Sequence, residues 1–251
     1  MSHATVTEEA REITHDTLFG GRVALAQPAR DRGYRVNVDA LLLAAFAARA
    51  RRAKSAFDLG AGVGAVGLSL LHLDLADHVT MIEKDPSLAK LARENARANG
   101  WADRMTVLCC DVAGDSVCAP SGLAGRADLV VCNPPYVLPG RGHAPSAVRA
   151  DAKMGSLDIF VHVARILAGP RARVRFIYPA IEATTLLETL RGRGLEPKRL
   201  RTVHGKPLEK ARVVLVECVA GRPGGLVIEP PLIETDGHGK RSPEMNALLG
   251  S

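Results

Sequence analysis

The stretch FDLGAGVGAVG, residues 57–67, sets glycines at 60, 62 and 64 between an apolar run and a helical pattern. SAFDL (55–59) reads as a β-strand and Val63 to Leu73 as an α-helix, so the glycines occupy a strand-to-helix turn. Glycine lets the backbone come close to a ligand, and the start of the following helix offers unpaired N–H groups. The turn marks an α/β nucleotide-type fold. It does not choose the ligand, because Gly62, Gly64 and Gly67 also satisfy the dinucleotide fingerprint G-x-G-x-x-G.

Working outward, the same alternation repeats. HVTMIE (78–83) is a second strand, followed by a helix over Pro86 to Asn99 with Asp85 as N-cap and Pro86 in its first turn. MTVLC (105–109) and ADLVVC (127–132) are the third and fourth strands. A long loop leads to a helix over Leu157 to Leu167, a strand over Arg173 to Tyr178, and a helix over Ile181 to Arg191. Two closing strands run near Lys198 to Val203 and Arg212 to Val219. Alternating strands and helices predict a mainly parallel sheet with helices on both faces. The chain divides into an N-terminal segment (1–54, short strands plus an apolar helix from about Ala40), a core (55–219) and a Gly/Pro-rich tail (220–251). The tail reads as an ordered surface wrap or a partly disordered end.

Three acids refine the ligand. Asp58 precedes the first glycine, where an amino-bearing or cationic ligand is favoured and a pyrophosphate is not. Glu83 ends the second strand, where a carboxylate accepts both hydroxyls of a ribose. Asp111 follows the third strand, placed to accept from an adenine amino group. Together they describe a nucleoside with a charged aminoacyl tail.

At the end of the fourth strand stands VVCNPPYVLPG (130–140). Pro134 and Pro135 lack a backbone donor and hold φ near −65°, so the strand ends there as a rigid extended ledge. The carboxyl edge of an open α/β sheet is where ligands bind. An exocyclic amine conjugated to a ring is a poor nucleophile, since its lone pair is delocalised. The side-chain oxygen of Asn133 and the carbonyl of Pro134 can each accept one N–H and fix such a nitrogen, while Tyr136 offers a flat face for a base. His143 and His162 need no catalytic role, because the nitrogen becomes acidic once alkylated.

The stretch from Asp58 to Gly64, with Glu83 and Asp111, resembles the S-adenosylmethionine site of class I methyltransferases. Asn133-Pro134-Pro135-Tyr136 resembles the NPPY motif of their amino-methylating branch. The resemblance implies a Rossmann-like seven-stranded sheet, mainly parallel, whose last strand inserts antiparallel. It also implies that Ala61 and Lys84 join Asp58, Gly60, Gly62, Gly64, Glu83 and Asp111 around S-adenosylmethionine, the expected cofactor. The motif is shared by enzymes acting on adenine, cytosine and glutamine amides. Residues 20–47, GGRVALAQPARDRGYRVNVDALLLAAFA, resemble the bacterial enzymes that methylate N6 of an adenine beside the anticodon of a valine tRNA, as do 203–225 and 230–249. The expected partner is therefore tRNA. Many members of that group carry phenylalanine where this chain has Tyr136. Tyr34 and Asp39 are expected to cover the cofactor, with an N-cap as the competing reading of Asp39. Arg141 and Arg149, beyond the ledge, are expected to touch RNA. The alternatives are a glutamine methylase acting on release factors, against which the 54 residues before the first strand do not read as a helical bundle, and a non-catalytic RNA-binding protein on the same fold. A nicotinamide oxidoreductase is a more distant third.

Composition bounds these readings. With 251 residues, 47% of them hydrophobic, the chain can bury one sizeable core. The opening MSHATVTEEAREITHD lacks the pattern of a signal peptide, and the longest apolar run, Ala40 to Ala48, is about half of the roughly 20 residues that span a bilayer. No membrane is expected, and a cytoplasmic setting fits. Five cysteines without ligand spacing favour neither a disulfide framework nor a metal site. A net charge of +6 leans toward a polyanionic partner. Arg191, Arg193, Lys198, Arg199, Arg201, Lys206, Lys210 and Arg212 cluster late in the chain and would bind phosphate if they shared a face.

Overall fold

The computed structural model of the protein describes residues 12–29, 36, 38–48, 51–112, 122–134 and 146–250, with side chains from 157 onward in the last stretch. In chain order the elements begin with β1 (Ile13–Leu18), β2 (Val23–Pro28), α1 (Val38–Phe46), β3 (Ala53–Leu59), α2 (Ala65–His72) and β4 (Ala76–Glu83). There follow α3 (Pro86–Ala98), β5 (Met105–Cys109), β6 (Ala127–Cys132), α4 (Ser146–Leu167), β7 (Ala168–Pro179) and α5 (Ala183–Gly192). β8 (Leu195–His204), β9 (Ala211–Ala220), β10 (Val227–Ile228), β11 (Leu232–Ile233) and α6 (Pro243–Leu249) close the chain.

Strands β3 to β7 are parallel to one another, and β9 lies antiparallel between β7 and β8. The order across the sheet is β8-β9-β7-β6-β3-β4-β5, the expected seven strands with the last one inserted antiparallel. The chain runs outward from β3 through β4 to β5, then returns to β6 on the other side of β3. The crevice between β3 and β6 is thus a switch point, where open α/β sheets bind ligands. One buried cluster joins α1, α2 and α3 to one face of the sheet, and a second joins α4 and α5 to the other.

Several boundaries differ from expectation. α4 starts at Ser146, eleven residues before the expected Leu157, because SAVRADAKMGS has no apolar periodicity to announce it. Ile181 and Glu182, expected in the next helix, belong instead to a single 3-10 turn, Ala180–Glu182, before α5. The tail adds β10 and β11, both parallel to β8, and widens the sheet to nine strands. Each is two residues long, and Pro230 and Pro231 between them break any strand-length pattern. α6 is capped by Ser242, whose side chain accepts from the Met245 N–H, and Met245 is buried in the same cluster as α1. That cluster also takes in Leu18, Phe19, Val23 and Leu25 of the N-terminal hairpin. Cys109, Cys132 and Cys218 are free thiols, whereas Cys110 is disulfide-bonded, which the unpatterned cysteine set did not foretell. No helix among the described residues is long and apolar enough to cross a membrane.

A buried ion cluster fastens the antiparallel side of the sheet. Glu217 on β9 is fully buried and accepts from Arg175 of β7 at 2.8 Å, with Arg199 of β8 at 3.2 Å and Arg173 also bound. Burial alone would raise the Glu217 carboxyl, but Arg175 and Arg173 outweigh it and hold it below the usual carboxylate range. Arg199 continues the chain to Glu229 of the tail at 2.7 Å and stacks over Phe46 of α1, 4.4 Å from the ring centre. Removing one member leaves a buried charge uncompensated. Glu217→Ala should therefore lower unfolding free energy by about 3–5 kcal/mol in urea titration. A loss well under 1 kcal/mol would mean that water reaches the arginines.

Candidate functional site

Four neighbouring strands deliver the site. In sheet order they are β6, β3, β4 and β5, and Leu59 pairs with Cys132 on one side and Ile82 on the other, so their carboxyl ends stand level. Those ends carry Asn133, the Asp58 and Gly60 pair, Glu83 and Asp111. The structure thus brings together the acids and the ledge residue that the sequence separates by more than 70 positions.

The glycine loop is held from two sides. The N–H groups of Gly60 and Ala61 both donate to the Ile82 carbonyl, at 2.9 and 3.0 Å. Gly62, at φ +56°, donates its N–H to Glu83 Oε2 at 2.8 Å, while Glu83 Oε1 accepts from the Asp85 N–H at 2.8 Å. Glu83 therefore ties the loop to the end of β4 and keeps lone pairs for a ligand. Gly64 serves a different need. It caps α2 at φ +89°, and a Cβ there would lie 2.8 Å from Met81 Cε, so its absence lets the helix seat on β4.

Beneath the loop, Asp58 is 1% exposed and accepts from the Gly67 N–H at 3.0 Å. Burial pushes its carboxyl up to about 7; the Gly67 amide opposes this, and the nearby Glu83 charge adds to the rise. Lys84 lies exposed just past Glu83, and Asp111 is exposed just past β5. Asn133 is half-buried with its Oδ1 shielded from solvent, and Pro134 is buried.

Tyr34, Pro135, Tyr136 and Arg141 lie outside the described residues, and Arg149 lies on α4 where only the backbone is described. Asp39 sits inside the first turn of α1 and is fully buried, so the N-cap reading is corrected; Arg212 of β9 pairs with it at 2.6 Å. Six of the eight residues of the basic cluster are engaged within the chain, while Lys206 and Lys210 stand exposed. Arg201 makes a two-pronged pair with Glu244 of α6 at 2.7 and 2.8 Å, and Arg212 holds Glu234 at 2.7 Å. Arg193 binds Asp158, Arg191 faces Glu196 at 3.5 Å, and Lys198 donates to the carbonyls of Arg222 and Gly224. These six side chains bind the tail, neighbouring strands or neighbouring helices.

One residue was not foreseen. Asn95 of α3, 1% exposed, donates to the Val63 carbonyl in the glycine loop at 2.9 Å and exchanges two hydrogen bonds with the backbone of Ala26 on β2. Asn99 repeats the exchange with Ala24. The signal was present: Asn95 falls in register with Leu88, Leu91 and Ala92 on the apolar face of its helix, where a lone polar group must find partners.

The profile of the methyltransferase small domain family matches residues 36–149. A Shewanella halifaxensis protein named tRNA1(Val) (adenine(37)-N6)-methyltransferase is 31% identical over 175 residues, covering 68% of this chain and 67% of that one. One of the same name from Actinobacillus pleuropneumoniae is 30% identical over 190 residues, covering 74% and 77%. The chain spans 65% of the like-named Actinobacillus succinogenes relative. Among solved structures, an Agrobacterium tumefaciens protein described as a predicted O-methyltransferase aligns with TM-score 0.65 and 25% identity over 83% of this chain and 94% of its own. Pyrococcus horikoshii TYW2 in complex with MeSAdo, at TM-score 0.57 and 17% identity over 85% and 73%, shares the fold.

Because folded Asp58 keeps its proton to about pH 7 and an unfolded aspartate loses it near 4, stability from this group is full below about pH 4 and is lost as pH climbs to 7. Asp58→Asn should accordingly gain on the wild type by at most about 1.4 kcal/mol for each pH unit between roughly 5 and 7. Denaturant melts at both ends of that window measure the difference. A constant difference would mean an ionised Asp58 throughout.

Proposed function

The chain belongs to the S-adenosylmethionine-dependent methyltransferases, and from that footing we propose that it transfers a methyl group to N6 of an adenine beside the anticodon of a tRNA. The observation that carries this reading is the meeting of Asn133 and the glycine loop across the β6–β3 crevice. The names of the relatives support the adenine and tRNA parts.

The residues fit the cofactor. Asp58 and Glu83 place two carboxyl groups close enough to repel, at a loop of backbone N–H groups, and an ammonium beside them would relieve that repulsion. A pyrophosphate would worsen it. In this reading Asp58, Gly60, Ala61 and Gly62 would hold the aminoacyl end, Glu83, with Lys84 beside it, would accept from the ribose hydroxyls, and Asp111 would accept from the adenine amino group. Gly64 seats the helix that closes the loop. When bound, S-adenosylmethionine supplies a methyl carbon made electrophilic by its sulfonium.

The chain's own work lies on the acceptor. Asn133 Oδ1 and the Pro134 carbonyl each accept one N–H of the exocyclic amine, which points its lone pair toward the crevice and favours the pyramidal geometry of the transition state. Burial of Pro134 keeps its carbonyl in place. Pro135 stiffens the ledge, and Tyr136 stacks on the extruded base, an interaction of about 1–3 kcal/mol. After alkylation the nitrogen is acidic and its proton leaves to water, so no protein base is assigned.

Incubating the protein with radiolabelled S-adenosylmethionine and unmodified total tRNA, with release factor in a parallel tube, tests this directly. Label should appear as N6-methyladenosine and vanish with Asn133→Ala, while cofactor affinity stays within about threefold, since that residue contacts only the acceptor. Label in release factor alone would sink the tRNA reading in favour of glutamine. Glu83→Gln should weaken cofactor binding in calorimetry by about tenfold or more, the loss of a charge-assisted hydrogen bond. Unchanged affinity would remove Glu83 from the ribose contact.

A further inference from the structure

The connection between β8 and β9 departs from its own turn chemistry. Residues 205–210, GKPLEK, join strands whose last pair is His204 with Ala211. The Glu209 N–H donates to the Lys206 carbonyl at 3.3 Å, which makes Lys206-Pro207-Leu208-Glu209 a β-turn with proline at its second position. Leu208, at the third position, has φ +66°. A turn with proline second and a positive φ third is type II, whose third residue is ordinarily glycine or asparagine because a Cβ is strained there. Leucine offers no side-chain hydrogen bond in return. Its side chain is 106% exposed, so it packs on none of the described residues.

The turn is nevertheless firmly framed. His204 Nδ1 meets the Glu209 carbonyl at 2.7 Å across the base of the loop. From behind, the tail donates the Glu234 N–H to the His204 carbonyl at 2.8 Å and both Thr235 groups to the Gly205 carbonyl at 2.8 and 3.0 Å. Leu208 is thus an apolar group held out on a rigid mount. Residues 206–210 are all exposed, with Lys206 4.0 Å from Glu209 and Lys210 lacking an ion-pair partner among the described residues. Nearby, Ile181 stands 78% exposed on the 3-10 turn that packs against β9.

Position gives the tip its meaning. β8 is parallel to β6, so the loop after it emerges at the same sheet edge as Asn133; β9 and β8 lie two and three strands across, roughly 10–14 Å sideways, and Cys132 is level with Leu200, so the loop stands beyond that edge by a further four residues of β8, about 13 Å. The cofactor residues lie on the opposite side of Asn133, over β3, β4 and β5. A polymer whose target base enters beside Asn133 has the β7, β9 and β8 side left to cross.

We propose that the β8–β9 tip is a second contact for the RNA substrate, with Leu208 against the face of an unpaired base near the target and Lys206 and Lys210 on the flanking phosphates. This rests on the tRNA reading above. Unpaired loop bases offer faces to apolar side chains, and two flanking lysines suit a polyanion better than an apolar protein surface.

Leu208→Gly separates this from a structural role. Glycine suits the turn better than leucine, so a residue that served only the turn would leave the variant equally active and at least as stable. The proposal expects an unchanged or higher melting temperature, unchanged cofactor affinity and near wild-type kcat at saturating tRNA, with KM for tRNA raised about tenfold, the loss of one buried leucine contact. The double variant Lys206→Ala, Lys210→Ala should also raise that KM and flatten its salt dependence by roughly 0.7 in the log–log slope per phosphate lost. If the wild type methylates tRNA and Leu208→Gly does so with the same KM, the tip is not an RNA contact. Should the wild type leave tRNA unlabelled, the tRNA reading itself has failed, and a photoreactive benzoylphenylalanine at position 208 decides the tip alone. Cross-linking to unmodified tRNA would still support it, and cross-linking to release factor, or to neither, would overturn it.

Discussion

Strand β3 sits where the strand order reverses, and the site depends on that placement. On one side its end is level with β4, so Glu83 can reach the Gly62 N–H; on the other it is level with β6, so Asn133 stands across the crevice from the same loop. Asp58, one residue before the strand's end, is buried under the loop it supports. The outcome is a concentration of acceptors at a loop of donors, in surroundings dry enough to keep one carboxyl protonated near neutral pH. A cationic ligand is the natural relief of such a site.

The loop is not a free strap. Met81 receives α2 because Gly64 and Gly67 leave room for it, and Asn95 joins the loop's Val63 carbonyl to strand β2 of the N-terminal hairpin. The hairpin and loop therefore share one buried amide. Asn99 adds a second pair of hydrogen bonds from the next turn of α3. Through them the segment before the core is tied to the glycine loop.

Charge does different work from what its abundance suggests. Arg199, Arg201 and Arg212 lie on one side of the sheet, and each engages a glutamate of the last 25 residues, Glu229, Glu244 and Glu234 in turn. The tail that reads as a Gly/Pro-rich end is held down by these pairs, by two short parallel strands and by the burial of Met245. Exposed pairs contribute little singly, but Arg199 joins its pair to a network with fully buried Glu217 and Arg175. In turn the tail stiffens the β8–β9 connection, so these cations shape the edge of the sheet.

The sequence by itself determined the alternation of strands and helices, the glycine turn, the acids at three successive strand ends and the abrupt stop at Asn133, because period, turn chemistry and caps are local. The Asp85 cap is a direct case: its side chain accepts from Ser87 and Leu88 as its place before Pro86 implied. Where local signals fall silent the reading failed, as at the first turns of α4 and the two-residue strands β10 and β11. Only the tertiary structure decided which strands neighbour one another, that Asp39 belongs to Arg212, that Arg199, Arg201 and Arg212 are partnered by the tail and that Asn95 bridges loop and hairpin. Each of these joins residues tens to nearly two hundred positions apart. Such pairings depend on how twisted layers stack and which polar groups are left to be satisfied, and no spacing along the chain records that.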